Sequence, residues 1–161
     1  MTFATITIDA LVPSIAINKN IQHAVFLGAG ASISSGIPSA SACIWEWKRS
    51  IFVTNNPGLE SQFRELSLPS VKDRIQKWLD AQRTFPKSGA PEEYGFYINA
   101  CYPRQDDRRA YFASYLAQSQ SHIGYQLLAL MARAGTISSV WTTNFDALSA
   151  RAAAAVNVTT I

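Results

Sequence analysis

The chain has 161 residues, the length of one domain. With 48% hydrophobic and 16% charged residues it can bury a core, which excludes a disordered segment. The net charge is +3, but Lys48-Arg49 and Arg108-Arg109 are interspersed with Glu46, Glu60, Glu65, Asp73, Asp80, Asp106 and Asp107. A mixed surface of this kind argues against direct nucleic-acid binding and remains compatible with a small anionic ligand.

Taken in chain order, the N-terminus MTFATITIDALVPSIAINKN has no basic leader and carries Asp9 among its apolar residues, so it does not read as a signal peptide. No apolar run reaches the roughly 18 residues that a membrane helix needs. Cys43 and Cys101 are isolated and read as buried free thiols of a cytoplasmic protein, with no zinc site and no other metal centre built from them.

Residues 24–28, AVFLG, are a short apolar run ending at glycine and predict a buried parallel strand. Residues 138–142, SSVWT, predict a second strand, and residues 156–161, VNVTTI, a third. The stretch between the first two reads as helical, with a large insertion at about 41–118. Ile44, Trp45, Lys48, Ile51 and Phe52 keep helical spacing, as do Val71, Ile75, Trp78 and Leu79, and then Tyr111, Tyr115 and Leu116. Trp45, Trp47 and Trp78 are expected in packing between helices. Breaks fall at Asn55–Gly58, Pro69, Pro86–Pro91 and Pro103, and Asp106 and Asp107 suit the start of a helix after Pro103. Over His122–Ala134, the residues Ile123, Leu127, Leu130 and Met131 are predicted to share one apolar face. The fold class is α/β, a Rossmann-like parallel sheet with that helical insertion. Three short strands are fewer than a doubly wound sheet contains, so residues 1–161 are expected to be the N-terminal part of a longer domain.

Two stretches carry chemistry. In FLGAGASISSGIPS, residues 26–39, a strand runs through Gly28-Ala29-Gly30 into a helix start. Small residues there admit a ligand close to the backbone, and N–H groups of a first helical turn can face a phosphate. Ser32, Ser34 and Ser35 could add hydroxyl donors. The dinucleotide fingerprint G-x-G-x-x-G fails, because position 33 is Ile. Gly36-Ile37-Pro38 then shapes the loop, since Pro38 restricts Ile37 to extended geometry. In VWTTNFDAL, residues 140–148, Asn144 reads locally as the N-cap of a helix beginning near Phe145, with Asp146 in its first turn. The same residues also read as ligand-facing, because ligands of parallel sheets bind beyond the carboxyl ends of the strands, where both motifs would meet.

GAGASISSGIPS, a helix opening with SHIGYQLL, and VWTTNFDAL resemble, in order and spacing, the motifs of the sirtuin family. The resemblance covers residues 24–39 and 119–149. It implies that Gly28, Ala29, Gly30 and Ser32 line the diphosphate of NAD. Gly36, Ile37 and Pro38 join the cofactor-binding set, with Ile37 and Pro38 bordering the nicotinamide. Asn144 would be catalytic, orienting the attacking water or a ribose hydroxyl, and Asp146 would hold the nicotinamide carboxamide. Thr143 stands where deacetylases usually carry Gln, and His122 matches a helix-start histidine that is not the base. Deacetylases continue the GIP motif with Asp-Phe-Arg, whereas this chain reads GIPSAS, leaving Lys48 or Arg49 to replace the arginine.

These departures look like the sirtuin-like NAD-hydrolase effector domains of bacterial anti-phage defence proteins. The resemblance implies NAD as substrate, its hydrolysis to ADP-ribose and nicotinamide, and C-terminal sensor or ATPase domains in the parent protein. A homo-oligomer is compatible with it. The family's catalytic histidine follows a later strand, so it is expected after residue 161, and residues 1–161 alone are expected to be weakly active or inactive. An NAD-dependent protein deacylase of the same fold and a non-catalytic NAD- or ADP-ribose-sensing module are the two other readings.

Overall fold

A computed structural model describes residues 5–18 and 20–159. The protein is mixed α/β and mostly helical: α1 (Ile8–Ile17), β1 (His23–Leu27), a 3₁₀ segment (Ala29–Ser35), α2 (Ala40–Asn55), α3 (Pro69–Gln82), α4 (Glu93–Cys101), α5 (Gln105–Gln118), α6 (Ile123–Arg133), β2 (Ile137–Thr142) and α7 (Leu148–Ala155). The chain divides into two compact units. One is the continuous segment Gly36–Ser119, and the other joins the residues before it to those after it.

The helical unit contains α2 to α5. Ser39 caps α2 by accepting the Ala42 N–H at 3.1 Å, and Pro69 opens α3 at a position where its missing N–H costs nothing. Val71, Ile75 and Leu79 recur every four residues and face inward, as their spacing predicts. They close on Cys43, Trp47, Phe52, Phe63, Tyr97 and Ile98, with Trp45 and Trp78 packed at the margin. Asp106 and Asp107 occupy the first turn of α5, also as predicted. Gly36 enters the unit with a φ of 91°, left-handed backbone that a residue with a side chain resists, and Ile37 behind it is buried.

The sheet unit is built on β1 and β2, which pair in parallel from Ala24↔Ser139 to Leu27↔Thr142. The Thr143 N–H donates to the Leu27 carbonyl at 3.3 Å and carries the pairing one step further. Helix α6 packs on β2 and on α7. Its inward face differs from the expectation. Tyr125 and Ala129 are buried, whereas Ile123, Leu127 and Leu130 are 55%, 53% and 48% exposed. A two-residue offset turns the predicted stripe about 200° round the helix. The rotation follows from Tyr125, whose hydroxyl finds its partner inside, and from Ala129, which is small enough to sit against neighbouring elements.

Two further expectations are corrected. The described residues of the third predicted strand do not form one: α7 ends at Ala155, Val156 and Asn157 turn, and Val158 and Thr159 are not in a strand. The Val158 N–H closes back on the Ala153 carbonyl at 2.9 Å, which takes the donor a sheet ladder would need. Residues 160 and 161 of that run lie outside the described residues. Helix α7 begins at Leu148, not near Phe145, so Asn144 is not its N-cap; the Asp146 carboxylate receives the Leu148 N–H instead, at 3.1 Å. Before β1, helix α1 is capped by Thr7, contains Pro13, and has no buried residue. Among the described residues no helix is long and apolar enough to cross a membrane.

Candidate functional site

The two glycine- and asparagine-bearing motifs meet within the sheet unit, beyond the carboxyl ends of β1 and β2. Chain direction dictates this: parallel pairing of Leu27 with Thr142 puts Gly28 and Thr143 at one edge. At Gly28 and Gly30 an added Cβ would meet no atom within 4 Å, so the backbone is open there. The 3₁₀ segment starts with the Ala31 N–H donating to the Gly28 carbonyl at 3.0 Å. Among the described residues, the N–H groups of Ala29 and Gly30 have no partner. Two free donors beside two bare Cα atoms can receive an anion.

Asn144 ties the motifs together. Its Nδ2 donates to the Gly28 carbonyl and to Ser32 Oγ, both at 3.0 Å. A carbonyl can only accept, so the amide's orientation is fixed, with the nitrogen toward β1 and Oδ1 away from it. Its main-chain N–H is held by Thr142 Oγ1 at 3.0 Å.

Ser32 lies at the centre and is 1% exposed. Its hydroxyl contacts Asp146 Oδ2 at 2.6 Å, Tyr125 Oη at 2.9 Å and Asn144 Nδ2 at 3.0 Å. One donor and two acceptor sites are all a hydroxyl has, and all are in use. The Ser32 side chain therefore organises the site from within and, at this burial, is not presented to a ligand. Asp146, also buried, holds Ser32 with one oxygen and the first turn of α7 with the other. Both Asp146 and Tyr125 border an open, largely apolar groove of 760 Å³ along β2, α6 and α7.

Of the residues predicted for the site, the sheet unit brings together Gly28, Ala29, Gly30, Ser32, Thr143, Asn144 and Asp146. Gly36, Ile37 and Pro38 belong to the helical unit. Ser35 is buried and accepts the His122 N–H at 3.1 Å, whereas Ser34 is exposed. His122 itself caps α6, with Nδ1 accepting the Gly124 N–H at 3.2 Å. Tyr125, three residues on, reaches the site and was missed by sequence reasoning. Its aromatic ring signals packing, and its hydroxyl partner lies 93 residues away in the chain.

Lys48 and Arg49, the two candidates for the place of the missing arginine, both lie in the helical unit. Lys48 is 1% exposed inside the helical unit, where it pairs with Glu93 and donates to Gln76 Oε1 at 2.8 Å. Arg49 donates to the carbonyls of Phe63 and Glu60 in the same unit. Burial forces Lys48 to keep its anionic partner, so its charge is already matched within the helical unit. Among the described residues no group of three or more His, Cys, Asp or Glu side chains could hold a metal ion. No protein-family model matches the chain, and no curated protein matches it.

Proposed function

We propose that the sheet unit is the NAD site of a Rossmann-like, sirtuin-like domain, and that the full-length protein hydrolyses NAD to ADP-ribose and nicotinamide. The observation that carries this reading is the pair of bonds from Asn144 Nδ2 to Gly28 and Ser32, which join motifs 116 and 112 residues apart into one polar site. A lone glycine turn needs no such partner, and a lone helix start would use Asn144 as its cap.

The chemistry follows from the groups on hand. Ala29 and Gly30 offer N–H donors to the diphosphate, and the open Cα positions let it approach. Asn144 Oδ1 accepts from a ribose hydroxyl or the attacking water. Each Asp146 oxygen keeps a second lone pair, enough to receive the nicotinamide carboxamide N–H. In the reaction the bond between the nicotinamide nitrogen and the ribose carbon breaks, nicotinamide leaves with the bonding electrons, and water adds to that carbon and loses a proton. The sugar becomes cationic on the way, so orientation of leaving group and nucleophile matters more than a strong acid. As a biological setting we propose a cytoplasmic anti-phage effector.

The test is nicotinamide release from NAD by the full-length protein without any acylated peptide. Asn144→Ala should reduce it about 100-fold or more, the scale of losing one oriented polar group at a reacting centre. Unchanged turnover in that variant would overturn the assignment. An absolute requirement for an acylated peptide would make the protein a deacylase, and tight NAD binding without turnover a sensing module.

A further inference from the structure

We infer that Tyr125 is a positioning residue: its hydroxyl fixes the proton order of Ser32 and thereby the edge that Asn144 presents to substrate. Tyr125 is 4% exposed and touches Ser32 Oγ at 2.9 Å. Either oxygen could donate in isolation, but the rest of the network decides. The Ser32 hydroxyl donates its single proton to Asp146 Oδ2 at 2.6 Å. The remaining contacts of Ser32 must then be donated to it. Asn144 Nδ2 supplies one and the Tyr125 hydroxyl the other.

The consequence is chemical. With both Nδ2 protons engaged, Asn144 offers substrate an acceptor and no donor. That edge suits a sugar hydroxyl or a water and repels phosphate oxygens, so it separates the ribose end of a dinucleotide from its diphosphate end. Without the Tyr125 hydroxyl, Ser32 keeps an unfilled lone pair in a buried place, and its hydroxyl is no longer held in one rotamer. Asn144 then loses a fixed partner and can turn its NH₂ outward. The kinetic consequence rests on the proposed NAD hydrolysis; the proton order does not.

Tyr125→Phe in the full-length protein tests both, with nicotinamide release and the NMR of the Asn144 side-chain amide as readouts. The expected result is a fall in kcat of about tenfold with KM for NAD changed less than about twofold, because the hydroxyl acts through Ser32 and not on substrate. In a Ser32→Ala background the same substitution should add less than about twofold. An unchanged kcat, or a full additional loss in the Ser32→Ala background, overturns the relay. In the spectrum, wild type should show two inequivalent, slowly exchanging Nδ2 protons on Asn144, and Tyr125→Phe should bring their exchange up at least about tenfold. Identical spectra refute the inference even if NAD is not the substrate, so the two failures are distinguishable. Should the variant not fold, wild type still decides. The Tyr125 hydroxyl proton must be observed with close contacts to the Ser32 β-protons, and its absence refutes the assignment of Tyr125 as donor.

Discussion

The helical and sheet units use opposite means of holding their shape. In Gly36–Ser119 the interior is aromatic and tight: Phe63, Ile75, Leu79 and Tyr97 are fully buried, and Trp47 meets Tyr94 edge-on at 5.1 Å. In the sheet unit Phe26, Val140 and Trp141 on the strands are exposed, and a network of hydroxyl, amide and carboxylate links its segments. The raised pKa values follow the same division. Cys43, Tyr94, Tyr97, Cys101, Tyr102, Tyr111 and Tyr115 are all held neutral above their ordinary range, chiefly by desolvation, and all lie in the helical unit. Aromatic packing holds the helical unit together, whereas the sheet unit joins its segments through oriented polar groups.

The comparison is broken most sharply at Lys48. Lys48→Ala leaves Glu93 charged and buried without its cation, and should destabilise the helical unit by about 3–5 kcal/mol in urea unfolding. A cost below about 1 kcal/mol would mean that water reaches the pair. Leu79→Ala removes a fully buried side chain and should cost about 2–5 kcal/mol, whereas Leu127→Ala, half exposed on α6, should stay within about 0.5 kcal/mol. Equal effects would place Leu127 in a core.

Alkaline pH separates the units from the other side. Groups whose folded pKa is raised leave the native state with more bound protons than the unfolded one. Stability is therefore full below the ordinary values of 9.0 for cysteine and 10.0 for tyrosine and falls as pH rises above them. Between pH 8 and 11 the emission of Trp45, Trp47 and Trp78 should report loss of the helical unit at lower urea, while Trp141 reports little change in the sheet unit. Coincident transitions would contradict the division. At the smaller end, Ser32→Ala strands the Tyr125 hydroxyl and one Asp146 oxygen, and should cost about 1–3 kcal/mol, confined to the sheet unit.

What the sequence makes legible is whatever a short window contains. The runs ending at Leu27 and Thr142, the four-residue spacing of Val71, Ile75 and Leu79, and the acidic start of α5 all depend on neighbours in the chain. The errors arise where a distant partner decides. Helix α6 turns its apolar stripe outward because Tyr125 meets Ser32 across 93 residues. Lys48 looks like a surface cation until Glu93 is brought beside it. Asn144 fits the pattern of a helix cap, yet its amide is taken by Gly28, and it is Asp146 that accepts the Leu148 N–H at the start of α7. The β-branched residues of 156–161 suggest a strand, but composition alone does not supply a neighbouring ladder.

The central claim is that NAD is bound at the open backbone of Gly28–Gly30 and at Asn144. Titrating NAD into the ¹⁵N-labelled full-length protein tests it most directly. The account predicts saturable shifts at the Ala29 and Gly30 amides and at the Asn144 side chain, with the buried core around Ile75 and Leu79 unmoved. Absence of shifts at these positions up to about 1 mM NAD, a concentration at which a binding energy of only about 4 kcal/mol would be seen, would contradict it.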